Sequence, residues 1–206
     1  MFGSDKDFQI NKHGYGTHFF DNCITPIDGL IKILQNDFKG ALDRDNLKIK
    51  KLDNGSVTVV DLFTGIEYPH EFDLKNEING TTIIENHYPE FRRKYDYLAN
   101  KIRNLFKSGK TILFVRCGPV DDNNLNILLD SLNNLTEDYR LLYLPWYNRY
   151  QIDNCQNVLN RNEIIYNTIK HNEYPGDNAS WDLAFEKIPF YLPEIKKNVL
   201  YDLTKL

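Results

Sequence analysis

The sequence predicts a single α/β domain spanning residues 1–206: a mainly parallel sheet flanked by helices in the second half, a small antiparallel β-meander over about 47–72, and two N-terminal helices. Three observations predict it. Apolar residues switch from helical spacing to period two and back along the chain. Asp53-Asn54-Gly55 separates two strand-like runs, a strong hairpin signal. From Pro89 onward, helical stripes alternate with short apolar runs, which implies parallel pairing with right-handed crossovers. At 206 residues, with 41% hydrophobic and 13% aromatic content, the chain can bury a sizeable core, and disorder is excluded.

The elements follow in order. Ser4-Asp5-Lys6-Asp7 places a hydroxyl and a carboxylate three apart, as in a capping box, and predicts a short helix to about Lys12 that stops at Gly14. Thr25-Pro26-Ile27-Asp28 offers an N-cap Thr, Pro at the first helical position and Asp at the third. Ile27, Leu30, Ile31, Leu34 and Phe38 then form one apolar stripe. Strands are expected over 47–52, 56–62 and 66–72, the last two separated by Thr64-Gly65. Phe91, Tyr95, Leu98, Ile102 and Leu105 mark a long amphipathic helix after Pro89, closed by Gly109. A buried strand over 111–115, a helix carrying Leu125, Leu128, Leu129 and Leu132, strands over 139–144 and 163–169, and a helix near 181–185 complete the reading. Ligands of such sheets bind beyond the carboxyl ends of the strands, here the loops starting at Arg116, Pro145 and Lys170.

Composition excludes several functions. The net charge of −4, from 25 basic and 29 acidic residues without a charged tail, argues against nucleic-acid binding. Arg92, Arg93, Lys94, Lys101, Arg103 and Lys107 share the long helix, but Asp96 interrupts them, and a solvated face accounts for them. No run approaches the roughly 20 apolar residues of a membrane span, and Met1 to Asp7 carries no signal-peptide pattern. The three cysteines are widely spaced without a Cys-x-x-Cys pair, which points to a reduced, cytoplasmic setting without disulfides or structural zinc. Phosphate-loop, dinucleotide and zinc-peptidase motifs are missing and the five histidines are scattered, so no cofactor or metal is expected.

Four places could carry chemistry. Arg116 at a strand's carboxyl end can grip a carboxylate or phosphate with two parallel bonds, and the adjacent Cys117 could be a nucleophile; pairing of Arg116 with Asp121, and Cys117 as a buried filler, is the competing reading. His70, in Tyr68-Pro69-His70-Glu71-Phe72, could be an oriented general base or a packed polar residue. Cys23 stands two residues before Thr25, where a helix N-terminus could favour thiolate. Pro145-Trp146-Tyr147-Asn148-Arg149 pairs an aromatic with a cation, a combination suited to stacking on a sugar or base.

Several of these pieces together resemble a bacterial and viral family of papain-like cysteine peptidases of unknown function. The segment from Tyr88-Pro89-Glu90-Phe91-Arg92-Arg93-Lys94-Tyr95 to Phe114-Val115-Arg116 resembles the family's tyrosine- and arginine-rich helix leading into a strand ending in Phe-Val-Arg. Phe19-Phe20-Asp21-Asn22 resembles its Pro-Phe-Asp-Trp element, and Tyr68-Pro69-His70-Glu71-Phe72 its histidine-acid-Phe element. The resemblance covers roughly residues 2 to 145. It implies a nucleophilic cysteine in an opening Leu-Gly-x-x-Cys element at a helix start; here that stretch is Phe2-Gly3-Ser4-Asp5-Lys6, with Lys6 in the cysteine's place. Lysine is cationic at neutral pH and cannot serve as a thiolate. The family's Trp and leading Pro are also replaced, by Asn22 and Phe19.

Three readings follow. The first is a divergent family member without thiol hydrolase activity, acting as a binding or accessory protein for a small-molecule, glycan or peptide ligand. The second is an active cysteine hydrolase or acyl transferase using Cys23 or Cys117 with His70. The third is a transferase or ligand-binding domain unrelated to peptidases, using the loops at Arg116 and Trp146 to Arg149; Asp21, in the stretch that resembles the family's second element, is a candidate substrate-binding residue beside these readings. Oligomeric state is not legible in the composition.

Overall fold

A computed structural model describes residues 17–51, 57–72, 80–144 and 164–166. The meander is there: β1 (Leu47–Lys51), β2 (Val57–Asp61) and β3 (Glu67–Tyr68) form an antiparallel sheet in that order. Leu47 faces Asp61, Lys51 faces Val57, and Val59 faces Tyr68. Ile24 extends the edge by a single bridge to Glu67. The Asp53-Asn54-Gly55 turn lies outside the described residues.

Asp61 ends β2 fully buried, which a carboxylate tolerates only when donors surround it. It accepts from the Phe63 N–H at 2.9 Å, the Leu42 N–H at 3.1 Å and the Thr64 hydroxyl at 3.1 Å. The turn then closes through Gly65, at φ +73°, whose N–H donates to the Asp61 carbonyl.

Helix α1 (Ile27–Gln35) starts one residue later than the sequence suggests. Pro26 is extended, with ψ 152°, and occupies the N-cap without any side-chain cap, so Thr25 does not fill that role. Ile31, Ile33 and Leu34 are buried. Gly29 fits tightly: a Cβ there would lie 2.1 Å from the Thr64 carbonyl oxygen. The apolar stripe does not run helically to Phe38. The helix stops at Gln35, and Asp37 and Phe38 take φ of 48° and 60°. Leu42 follows at φ 66°. A left-handed backbone costs a non-glycine residue roughly 1–2 kcal/mol, and here Phe38 and Leu42 are both buried.

The long helix α2 (Gly80–Phe106) begins well before the point the sequence suggests, with Pro89 inside it. Proline removes one backbone donor and strains one turn, yet the helix continues on both sides. Its buried face carries Phe91, Tyr95, Leu98, Ala99, Ile102 and Phe106. Rings interlock there: Tyr68 meets Phe91 at 5.0 Å and Tyr95 at 5.2 Å, and Phe19 meets Tyr95 at 5.1 Å. The basic residues of α2 are not simply solvated. Arg92 pairs with Asp96 and Asp43, Lys94 with Glu71, and Arg103 with Asp37, while Lys101 donates to the Thr17 carbonyl.

Helix α3 (Asp122–Asn133) buries Leu125, Leu128, Leu129 and Leu132, the stripe the sequence predicts. Ser131 of α3 receives the Gln35 side chain of α1 at 3.4 Å. Asp121 caps α3, accepting the Asn124 N–H at 2.9 Å and its side-chain amide at 2.8 Å. These hydrogen bonds hold the Asp121 carboxyl below its ordinary value.

Contacts divide the chain into two compact units: Thr17–Ile112 with Val120–Asp138, and Leu113–Pro119 with, among the described residues, 139–144 and 164–166. The second unit holds a sheet in the order β4 (Ile112–Cys117), β5 (Tyr139–Leu144), β6 (Ile164–Tyr166). β5 and β6 pair in parallel, with Leu141 opposite Ile164 and Tyr143 opposite Tyr166. β5 is buried at every residue but Arg140, the near-continuous burial of a parallel strand. The fold class is thus mixed α/β. The helices expected before Gly14 and near 181–185, and the strand expected beyond Tyr166, lie outside the described residues. Among the described residues, no helix is long and apolar enough to cross a membrane.

Candidate functional site

The turn at Phe19 to Asn22 is fixed by its own acid. The Asp21 carboxylate accepts the His18 N–H at 2.7 Å, and the Asp21 N–H donates to the His18 carbonyl at 3.3 Å. Asp21 is exposed. Phe19 is fully buried, edge-on to Phe38 at 5.0 Å and to Tyr95. This turn delivers Cys23 into the core.

Cys23 is 1% exposed, and its sulfur lies 3.4 Å from both the Phe19 carbonyl and the Tyr95 hydroxyl. Burial pushes its thiol up to about 12. That is the opposite of the shift a nucleophile needs, because the thiolate is the reactive form. The Tyr95 hydroxyl donates in turn to Glu71 Oε1 at 3.2 Å. The thiol can give its one proton to the Phe19 carbonyl, and in the contact between sulfur and the Tyr95 hydroxyl either group can be the donor. Lys94 Nζ completes the run, reaching both Glu71 oxygens at 2.7 Å. The Glu71 side chain is only 8% exposed whereas that of Lys94 is 41% exposed, so a buried carboxylate meets a cation that still faces water. Tyr68 stands beside the run with a fully buried hydroxyl that has no partner among the described residues.

The histidine-acid-Phe element therefore splits. His70 is exposed, whereas Glu71 beside it turns inward and meets Cys23 through Tyr95. Sequence reasoning singled out His70 and Cys23 but missed Glu71, Tyr95, Lys94 and Tyr68. The one signal for Glu71 was its place in that element; Tyr95 read as core and Lys94 as surface. Lys6, Trp146, Arg149 and the loops at Pro145 and Lys170 lie outside the described residues.

In the second unit, Arg116 and Cys117 belong to β4 and not to the loop after it, because the strand runs two residues further than its apolar run suggests. Both are half-buried. Burial pushes the Arg116 guanidinium down, opposed by the electrostatic influence of Cys117 and Tyr143. Gly118, at φ +97°, ends the strand and donates its N–H to the Leu144 carbonyl at 3.0 Å. Asp121, the acid weighed as a partner for Arg116, caps α3.

Among the described residues, no group of three or more His, Cys, Asp or Glu could hold a metal ion. Comparison with protein-family models, curated proteins and solved structures finds no match for this chain.

Proposed function

We propose that the chain is a divergent relative of the papain-like cysteine peptidases that lacks thiol hydrolase activity and acts as a cytoplasmic binding or accessory protein. One observation carries the reading: the Cys23 thiol is enclosed by Phe19 and Tyr95 and pushed up to about 12. The thiol linked to the acid of the histidine-acid-Phe element is thus stabilised as the neutral S–H. Lys6 stands where the resembled family carries its nucleophile, which supports the same conclusion from sequence. The parallel pairing of β5 with β6 supports the mainly parallel sheet in the second half that this reading includes.

The test is labelling with a thiol-reactive probe from pH 6 to 10, each modified cysteine located by mass spectrometry. The proposal expects slow labelling of Cys23 in the folded protein at pH 6–8 and rapid labelling once it is unfolded. A folded-state thiol reacting fast at pH 6 overturns it.

A second reading draws on Arg116, half-buried in β4 and electrostatically linked to Cys117. A cation beside a cysteine is a setting in which a reactive thiolate forms, and a guanidinium at a strand end can grip a carboxylate or phosphate. The same labelling separates the readings: selective modification of Cys117 at low pH favours this one.

A further inference from the structure

The turn over 36–42 holds three non-glycine residues, Asp37, Phe38 and Leu42, in the left-handed region, where bulky side chains are rare. Such a backbone persists only where its surroundings over-determine it. The Phe38 and Asp37 N–H groups close the helix end on the Ile33 and Leu34 carbonyls, the Asn46 side chain reaches the Gly40 carbonyl, and one side chain of α2 adds three contacts. Arg103 of α2 donates through Nε to the Asp37 carboxylate at 2.7 Å and through Nη2 to the Asp37 carbonyl at 2.5 Å. Its guanidinium also lies 5.3 Å from the Phe38 ring centroid, and Asn100 receives Nη1 at 2.8 Å, fixing the fork. One guanidinium thus holds a side chain, a backbone carbonyl and a ring of the same strained turn.

The far end of the turn is held more loosely. Arg92 reaches the Ala41 carbonyl at 3.4 Å, and Leu42 donates its N–H to Asp61. The Asp37 side chain is 52% exposed, so the Arg103 pair faces solvent and is open to screening by salt.

We propose that Arg103 is the clasp of a strained turn, residues 36–42, that opens as a local unit and opens more readily as salt rises. Opening returns Asp37, Phe38 and Leu42 to ordinary backbone and lifts Phe38 off Phe19 and Phe20, the two rings it packs on at 5.0 and 6.4 Å. The inference does not depend on the reading of the thiols.

Hydrogen exchange tests it, because the Phe38 and Lys39 amides bond to the Ile33 and Asn36 carbonyls and the Leu42 amide to Asp61. In Arg103→Met these three amides should exchange about tenfold faster, roughly the loss of one charge-assisted contact, while β2 amides keep their rates. Arg103→Lys, which keeps the charge and loses the fork, should fall between. If Arg103→Met speeds exchange throughout the first unit, the unaltered protein at about 20 mM and about 500 mM salt decides. Faster exchange confined to the turn at high salt supports the clasp. Turn amides that respond to neither the substitution nor salt, or that only follow β2, overturn it.

Discussion

The Cys23 sulfur and the Tyr95 hydroxyl lie 3.4 Å apart in a buried setting, and both groups hold their protons more tightly than usual. Burial is the main cause for each. A group whose folded-state value is raised contributes stability that is complete below its ordinary value and lost as pH climbs toward the raised one. For Cys23 that window runs from its ordinary 9.0 to about 12. At pH 10.5 this thiol alone should cost about 2 kcal/mol. Tyr68 and Tyr95, also raised, add losses of the same sign above their ordinary 10.0. Urea unfolding at pH 7.5 and 10.5 measures the effect, and equal midpoints would refute the burial of this thiol.

Tyr68 makes the opposite kind of prediction. Its hydroxyl is buried without a partner among the described residues, so it was desolvated on folding with nothing gained in return. Tyr68→Phe keeps the ring contacts with Phe91 and Tyr95 and should leave stability unchanged or raise it by about 1 kcal/mol. A loss of that size in urea would mean that the hydroxyl has found a partner.

Gly29 is a steric requirement. An added methyl would meet the Thr64 carbonyl oxygen at 2.1 Å, and neither the helix nor the turn closed on Asp61 can yield easily. Gly29→Ala should destabilise the protein by about 1–3 kcal/mol, as overpacking does. A thermal midpoint equal to that of the parent protein would show the two segments to be further apart than described.

Asp121→Ala removes the side-chain cap of α3 and should cost about 1 kcal/mol at neutral pH. Because the Asp121 carboxyl lies below its ordinary 3.8, its contribution is present above that value and lost as pH falls through the lowered one. The gap between variant and parent should therefore narrow in acid. Denaturation midpoints at pH 7 and pH 3 check it; a constant gap would assign the loss to something other than the carboxylate.

The meander was legible because Asp53-Asn54-Gly55 and Thr64-Gly65 punctuate period-two runs, and strand alternation is a local property. The start of α2 was not. Pro89 is the conspicuous residue there and suits a first turn, while Glu85-Asn86-His87 breaks the apolar stripe before it. Phe38 continued the spacing of Leu34, and no local rule predicts a left-handed phenylalanine; its bond to the Ile33 carbonyl, its burial against Phe19 and the Arg103 contact hold it there together. The candidate site fared similarly. Cys23, His70 and the neighbouring acid could be picked out as types, but Cys23 meets Tyr95 across 72 positions and Glu71 meets Lys94 across 23. Propensity carries no information about such pairings.

The ion pairs of α2 have a consequence for how the sequence can drift. Arg92, Lys94 and Arg103 each answer an acid on another segment, respectively Asp43, Glu71 and Asp37. Change on the helix is then not independent of change elsewhere, so relatives that replace one member should replace or reverse the other. Such paired substitution, read from an alignment, would mark these contacts without any structure.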